Sequence, residues 1–253
     1  MRAQLSLALV VALAAVAPAR AEVRTKLVEY VQGGVALEGY EAWDDSLVGK
    51  RPAVLLIHRR DGMSDLTLSN ARQIAKLGYV VLAADIFGKT VRPKDEEESK
   101  VQSAIYNKDR PLMRARALAG LEALQNEPNV DAAKIAMIGY CFGGTVAVEL
   151  VETGAPIVGM VSVHGSFRGF QEGAAKNIKG PVLILHGAED QTAPLTEVEL
   201  LIKDLRTTKI NWRLELYGGA NHGFPTPVGP YNERANAKAW EATQEFFGET
   251  LGK

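Results

Sequence analysis

Cysteine is almost absent from this chain of 253 residues: Cys141 stands alone. A lone cysteine closes no intramolecular disulfide, so its thiol is either buried and inert or used in chemistry. Histidine is scarce as well, with four, His58, His164, His186 and His222. No two His or Cys residues stand at metal-ligand spacing, so no metal or other cofactor is expected. Basic residues form no stripe and the net charge is −1, which argues against a nucleic-acid partner. Beyond the N-terminal leader no apolar run is long enough to cross a bilayer. An internal repeat, a low-complexity tract and a dividing linker are all missing too, so one domain is expected.

The leader itself is distinctive. Residues 1–21 carry Arg2, an apolar run over residues 5–16 and the small-residue site Ala19-Arg20-Ala21, the pattern of a cleavable secretory signal. An uncleaved N-terminal anchor is the competing reading. Cleavage after Ala21 leaves residues 22–253 as a periplasmic or secreted domain with no stable membrane insertion, long enough for a large α/β core.

Along that domain, residues 27–31 and 35–43 flank Gly33-Gly34, which reads as an antiparallel hairpin with a glycine turn. Strands are predicted at 53–58, 79–84, 134–138, 156–163, 181–186 and 212–217. Helices are predicted at 65–77, 111–126, 143–151, 195–205 and 231–251. This alternation predicts a mostly parallel sheet with helices on both faces and the hairpin at its edge. Residues 87–110 are the most charged stretch, with Lys94-Asp95-Glu96-Glu97-Glu98 inside it; they read as a solvated helix face or loop, with a lid as the alternative.

Chemistry concentrates where the strand at 134–138 meets the helix at 143–151. Gly139-Tyr140-Cys141-Phe142-Gly143 is the nucleophile-elbow pattern G-x-S-x-G with cysteine in the serine position. The following helix points its N-terminal amides at the sulfur, which favours thiolate. Partners should follow later strands, because sites on parallel sheets lie beyond the strands' C-terminal ends. Asp190 follows one and His222 another, and the order Cys141, Asp190, His222 is that of α/β-hydrolase triads. His222 would take the thiol proton and Asp190 would fix its tautomer; Glu189 is the rival acid. Backbone amides of Phe142 and Arg60 are the candidate oxyanion donors. His58, His164 and His186 read as structural or pocket-wall residues.

With those residues in view, the chain resembles the dienelactone hydrolase family of α/β-hydrolases, whose hallmark is a G-Y-C-x-G-G elbow. Gly139-Tyr140-Cys141-Phe142-Gly143-Gly144 matches it throughout, and Leu37-Glu38-Gly39-Tyr40, Leu56-Ile57-His58, Ala84-Asp85-Ile86-Phe87, His186-Gly187 with Asp190, and Asn221-His222-Gly223-Phe224 support it. The resemblance implies a cofactor-free cysteine hydrolase of lactone or ester bonds, the typical member opening dienelactone to maleylacetate. Two positions depart from the pattern. Arg59 stands where members commonly carry a glutamate that contacts the resting thiol, and no arginine follows His222 closely, where members use one for the substrate carboxylate. If Arg59 faces Cys141, its charge would lower the thiol pKa in the glutamate's stead.

The expectation is therefore an exported cysteine-dependent hydrolase acting on a small-molecule ester or lactone through an acyl-cysteine intermediate. A non-catalytic ligand-binding or thiol redox-sensing protein on the same fold is the alternative. The sequence sets no oligomeric state.

Overall fold

The computed structural model describes residues 22–226 and 231–252; the signal-sequence reading at 1–21 lies outside the described residues. Eight strands form one sheet: β1 (Val23–Gln32), β2 (Val35–Asp44), β3 (Arg51–Ile57), β4 (Val80–Ala84), β5 (Val130–Tyr140), β6 (Gly159–Val163), β7 (Val182–Gly187) and β8 (Trp212–Tyr217). Their order is β1-β2-β4-β3-β5-β6-β7-β8. β1 and β2 pair antiparallel, β2 meets β4 antiparallel, and every pairing from β4 to β8 is parallel. The hairpin turns at Gly33 and Gly34, with φ of 57° and 77°, a conformation that costs residues with a Cβ.

Among the described residues six α-helices accompany the sheet: α1 (Asp65–Ala75), α2 (Glu96–Lys108), α3 (Arg110–Gln125), α4 (Phe142–Val151), α5 (Leu195–Leu205) and α6 (Glu233–Leu251). Central strands are mostly apolar because both faces are covered, and their residues divide by parity. Ala53, Leu55 and Ile57 join a core with Met113, Leu121, Val146 and Leu201, from α3, α4 and α5. Val54 and Leu56 point the other way, into a core with Ile74 of α1 and Phe246 and Phe247 of α6. The fold is that of the α/β-hydrolases, with the hairpin on the edge where the glycine turn placed it.

Three strand starts differ from the sequence expectation by three residues or more, the first being β1, which begins at Val23 and not at residue 27. β5 begins at Val130, which pairs with Arg51 before a register break; regular pairing resumes at Ile135 opposite Ala53. Asp131, Ala132 and Ala133 lack the apolar pattern that would have marked them as strand. β6 begins at Gly159, three residues after the expected Pro156. Pro156 offers no ladder donor, and the Ile157 amide turns back to the Ala155 carbonyl at 2.8 Å. The charged stretch is resolved as α2, capped by Asp95, whose carboxylate accepts the Glu98 amide at 2.9 Å. Three glutamates in that first turn complement the helix dipole.

Candidate active site

Cys141 is the single residue between β5 and α4, at φ 55° and ψ −117°. A non-glycine residue there carries strain of about 1–3 kcal/mol, which the flanking structure must hold. Two glycines make it feasible. A Cβ on Gly139 would stand 1.9 Å from the Gly143 carbonyl oxygen, and one on Gly143 would stand 2.4 Å from that of Ile57. Both approaches are to backbone, which cannot swing aside as a side chain can. The elbow therefore packs onto the end of β3, and Phe142, as the first residue of α4, has an amide with no acceptor inside the helix.

Turns after β7 and β8 deliver the partners. Cys141 Sγ lies 3.1 Å from His222 Nε2, and His222 Nδ1 lies 2.8 Å from Asp190 Oδ2. Asp190 is itself fixed, its Oδ1 accepting the amides of Thr192 at 2.9 Å and Ala193 at 2.8 Å. Asp190 is buried whereas Glu189 is exposed, so the shorter acid is the one that reaches the imidazole.

The electrostatics favour an ion pair. Burial by itself pushes the Cys141 thiol up, but the hydrogen bond and charge of His222, with the Arg60 and Arg59 guanidiniums behind it, bring it below its ordinary value. Burial likewise disfavours charge on His222, yet its bonds to Asp190 and Cys141 raise it to about 9. Burial also acts against charge on Asp190, which His222 and the Ala193 amide nonetheless hold below the usual carboxylate range. These contacts shift the pair toward thiolate and imidazolium. Alkylation of Cys141 by iodoacetamide is accordingly expected to stay fast below the ordinary thiol pKa of about 8.5. His222→Asn, which removes the counter-charge, should move the rate profile to higher pH; an unmoved profile would show that His222 does not set the thiolate.

The two arginines after β3 part company. Arg59 donates through Nη1 to the Thr226 hydroxyl and lines a cavity of about 280 Å³ together with Asn70, Tyr140 and Trp240. Arg60 lines the cavity that opens on Cys141 and His222, of about 560 Å³. The Arg59 guanidinium is thus engaged away from the thiol and follows Arg60 in its effect on it. Asn107, Lys108, Arg110, Phe142, Thr145, Ser166 and Arg168 form further wall of this larger cavity. Arg60 pairs with Glu96 at 2.5 Å, Arg110 with Glu149 at 3.4 Å and Arg168 with Glu197 at 3.1 Å. None of those three carboxylates lines the cavity, which presents four cations. Glu197 also accepts from the Ser166 hydroxyl at 2.6 Å and the Phe167 amide at 3.1 Å, tying this wall to α5.

Apart from Arg60 and Phe142, sequence reasoning did not reach these wall residues, since they come from α2, α3, α4 and the loop after β6, and no local pattern joins them. The charged stretch supplies wall from the far end of α2, not from residues 94–98. His58 and His186 hold backbone. His58 donates from Nδ1 to the Arg59 carbonyl at 2.5 Å and accepts the Ile86 amide on Nε2 at 3.1 Å, while His186 donates from Nε2 to the Ala193 carbonyl at 2.8 Å. His164 differs: neither of its ring nitrogens has a hydrogen-bond partner, and its ring meets that of His222 edge-on at 4.6 Å.

Known proteins resemble this chain in sequence and in fold. A Synechocystis sp. protein ascribed carboxymethylenebutenolidase activity is 28% identical over 245 residues, 89% of this chain and 97% of that protein. A carboxymethylenebutenolidase homolog of Rattus norvegicus is 28% identical over 163 residues, 62% of this chain and 65% of that one. Among solved structures, a dienelactone hydrolase-like promiscuous phosphotriesterase from metagenomic libraries superposes with a TM-score of 0.87 at 33% identity, covering 91% of this chain and 99% of that chain. The family model for dienelactone hydrolases matches residues 37–251, from the edge hairpin to the end of α6, and the chain belongs to the dienelactone hydrolase family.

Proposed function

We propose that this protein is an exported cysteine hydrolase of small carboxylic esters or lactones, with Cys141 as nucleophile, His222 as acid and base, and Asp190 as its orienting carboxylate. The observation that carries the reading is the unbroken series of contacts from Asp190 Oδ2 through His222 to Cys141 Sγ, at 2.8 and 3.1 Å, at the mouth of a ligand-sized cavity. Family membership supports the reaction class, and the leader at 1–21 supports export.

The chemistry follows from the proton positions. Thiolate adds to the carbonyl carbon, and the developing oxyanion is met by the Phe142 amide at the positive end of α4 and by the Arg60 amide. Collapse breaks the carbon–oxygen bond, and the His222 imidazolium gives its proton to the leaving alkoxide, which in a lactone stays tethered to the acyl group. His222, now neutral, takes a proton from water as that water attacks the thioester, and the carboxylic acid leaves as thiolate and imidazolium re-form. Asp190 stays ionised throughout and stabilises the imidazolium.

The four cations in the wall favour a substrate that carries a carboxylate of its own. They compensate for the missing arginine after His222 from other parts of the chain. A carboxylate-bearing activated ester should be hydrolysed with higher kcat/KM than its neutral isostere. Lys108 is exposed, so Lys108→Gln should shrink that preference by a modest factor, roughly two- to fivefold, with the neutral ester unaffected. Equal kcat/KM for the two esters in the wild-type protein would remove the anionic-substrate reading.

A further inference from the structure

We propose that Cys141, His164 and His222 form a binding site for a thiophilic divalent cation of the zinc type, and that filling this site switches hydrolysis off. The three residues' ligand atoms lie within 4.8 Å of one another. Cys141 and His222 already have roles; His164 has none in the hydrolytic cycle, and its placement is costly. Its side chain is fully buried with both ring nitrogens unpartnered, an arrangement proteins rarely leave without a purpose. Its backbone sits at φ 41°, a strained setting for a residue with a Cβ. The turn that carries it is pressed onto the elbow, since a Cβ on Gly165 would stand 2.9 Å from the Gly144 carbonyl carbon. Backbone strain and an unpaired imidazole are thus both spent on holding a nitrogen beside the sulfur.

The donor set, one thiolate sulfur and two imidazole nitrogens, suits zinc-like ions and not magnesium or calcium. Bond lengths to a tetrahedral zinc place its ligand atoms about 3.4–3.6 Å apart. The Cys141–His222 separation of 3.1 Å is near that span already, and binding requires the His164 nitrogen, within 4.8 Å of both, to move in to it. Asp190, 2.8 Å from the other nitrogen of His222, supplies the outer carboxylate that orients a metal-binding histidine. The fourth position faces the cavity, which Cys141 and His222 line, leaving room for water. Binding is written as thiolate, imidazolium, neutral His164 and the dication giving a complex with two neutral imidazoles and one thiolate, with one proton released. The sulfur lone pair and His222 Nε2 are both occupied in that complex, so neither nucleophile nor base remains.

Titration of the metal-free protein with Co2+ tests this directly. The expected result is one equivalent bound, with thiolate-to-cobalt charge-transfer absorption, the intense visible bands of a tetrahedral ion, and displacement by Zn2+. Cys141→Ala should abolish the charge-transfer band. His164→Phe keeps an aromatic ring against His222 and Phe224, and His164→Asn suits the positive φ. Each should weaken Co2+ binding at least about tenfold, with continued alkylation of Cys141 reporting an intact fold. Absence of the tetrahedral spectrum in the wild-type protein, or unchanged affinity in both His164 variants, would overturn the proposal. The cobalt spectrum reads the site whether or not the protein hydrolyses esters. In an active protein, Zn2+ should stop turnover and a chelator should restore it.

Discussion

Cys141→Ala is expected to reduce hydrolysis of a small activated ester by about ten-thousand-fold or more, with the fold retained. The magnitude follows from what the substitution removes. Without the sulfur there is no acyl-enzyme, and only the oxyanion donors and the cavity remain, which in comparable triads leave a small residue of catalysis over water. Fold retention follows from the elbow's construction: its geometry is set by backbone packing of Gly139 and Gly143, and alanine at 141 introduces nothing larger than the thiol it replaces. Steady-state kinetics with a thermal melt check both halves. Turnover within tenfold of wild type in a folded variant would exclude Cys141 as nucleophile.

Asp190→Asn should produce the second largest loss, roughly a thousand- to ten-thousand-fold in kcat. Asparagine preserves the size of the side chain and can still accept from Thr192 and Ala193. It cannot balance an imidazolium, and its amide group facing His222 Nδ1 would impose the tautomer that leaves Nε2 protonated when the thiol needs a base. The same change removes an interaction that raises His222, so the pH at which His222 gives up its proton should fall from about 9. For the wild-type protein the sign is clear: kcat/KM should rise with pH as the thiolate forms, stay high while His222 is protonated, and decline above about 9 as the acid for the leaving group is lost. In Asp190→Asn the alkaline limb should move to lower pH. A profile that keeps its alkaline limb while kcat falls would assign Asp190 to structure alone.

Much of this site was legible in the sequence because it rests on local rules. The elbow needs glycines two residues either side of Cys141, and those can be read from five consecutive letters. Asp190 and His222 were found one step further out, from the expectation that partners follow strands; β8 runs over the residues predicted for it and β7 within one residue of them. What escaped was tertiary. Arg59 and Arg60 are adjacent in the chain, and only the folded loop decides that Arg60 lines the substrate cavity while Arg59 turns to Thr226. The cationic wall unites Lys108 and Arg110, on either side of the α2–α3 junction, with Arg168 after β6. His164 follows an apolar strand as His58 does, and nothing in the letters tells a histidine with both nitrogens bonded from one with none. Metal-ligand spacing fails for the same reason, since Cys141, His164 and His222 lie on turns after three different strands.

Intact mass of the protein quenched during turnover of a small acetyl ester tests the central claim most directly. The account predicts one acetyl group on the wild-type protein, located on Cys141 by peptide mapping, discharged when substrate is exhausted, and missing from Cys141→Ala. Hydrolysis without any acyl adduct, or an adduct on another residue that turns over at the catalytic rate, would contradict it. No hydrolysis and no adduct across ester and lactone substrates would leave the fold and the family standing and direct attention to Cys141 as a redox-sensing or ligand-binding thiol.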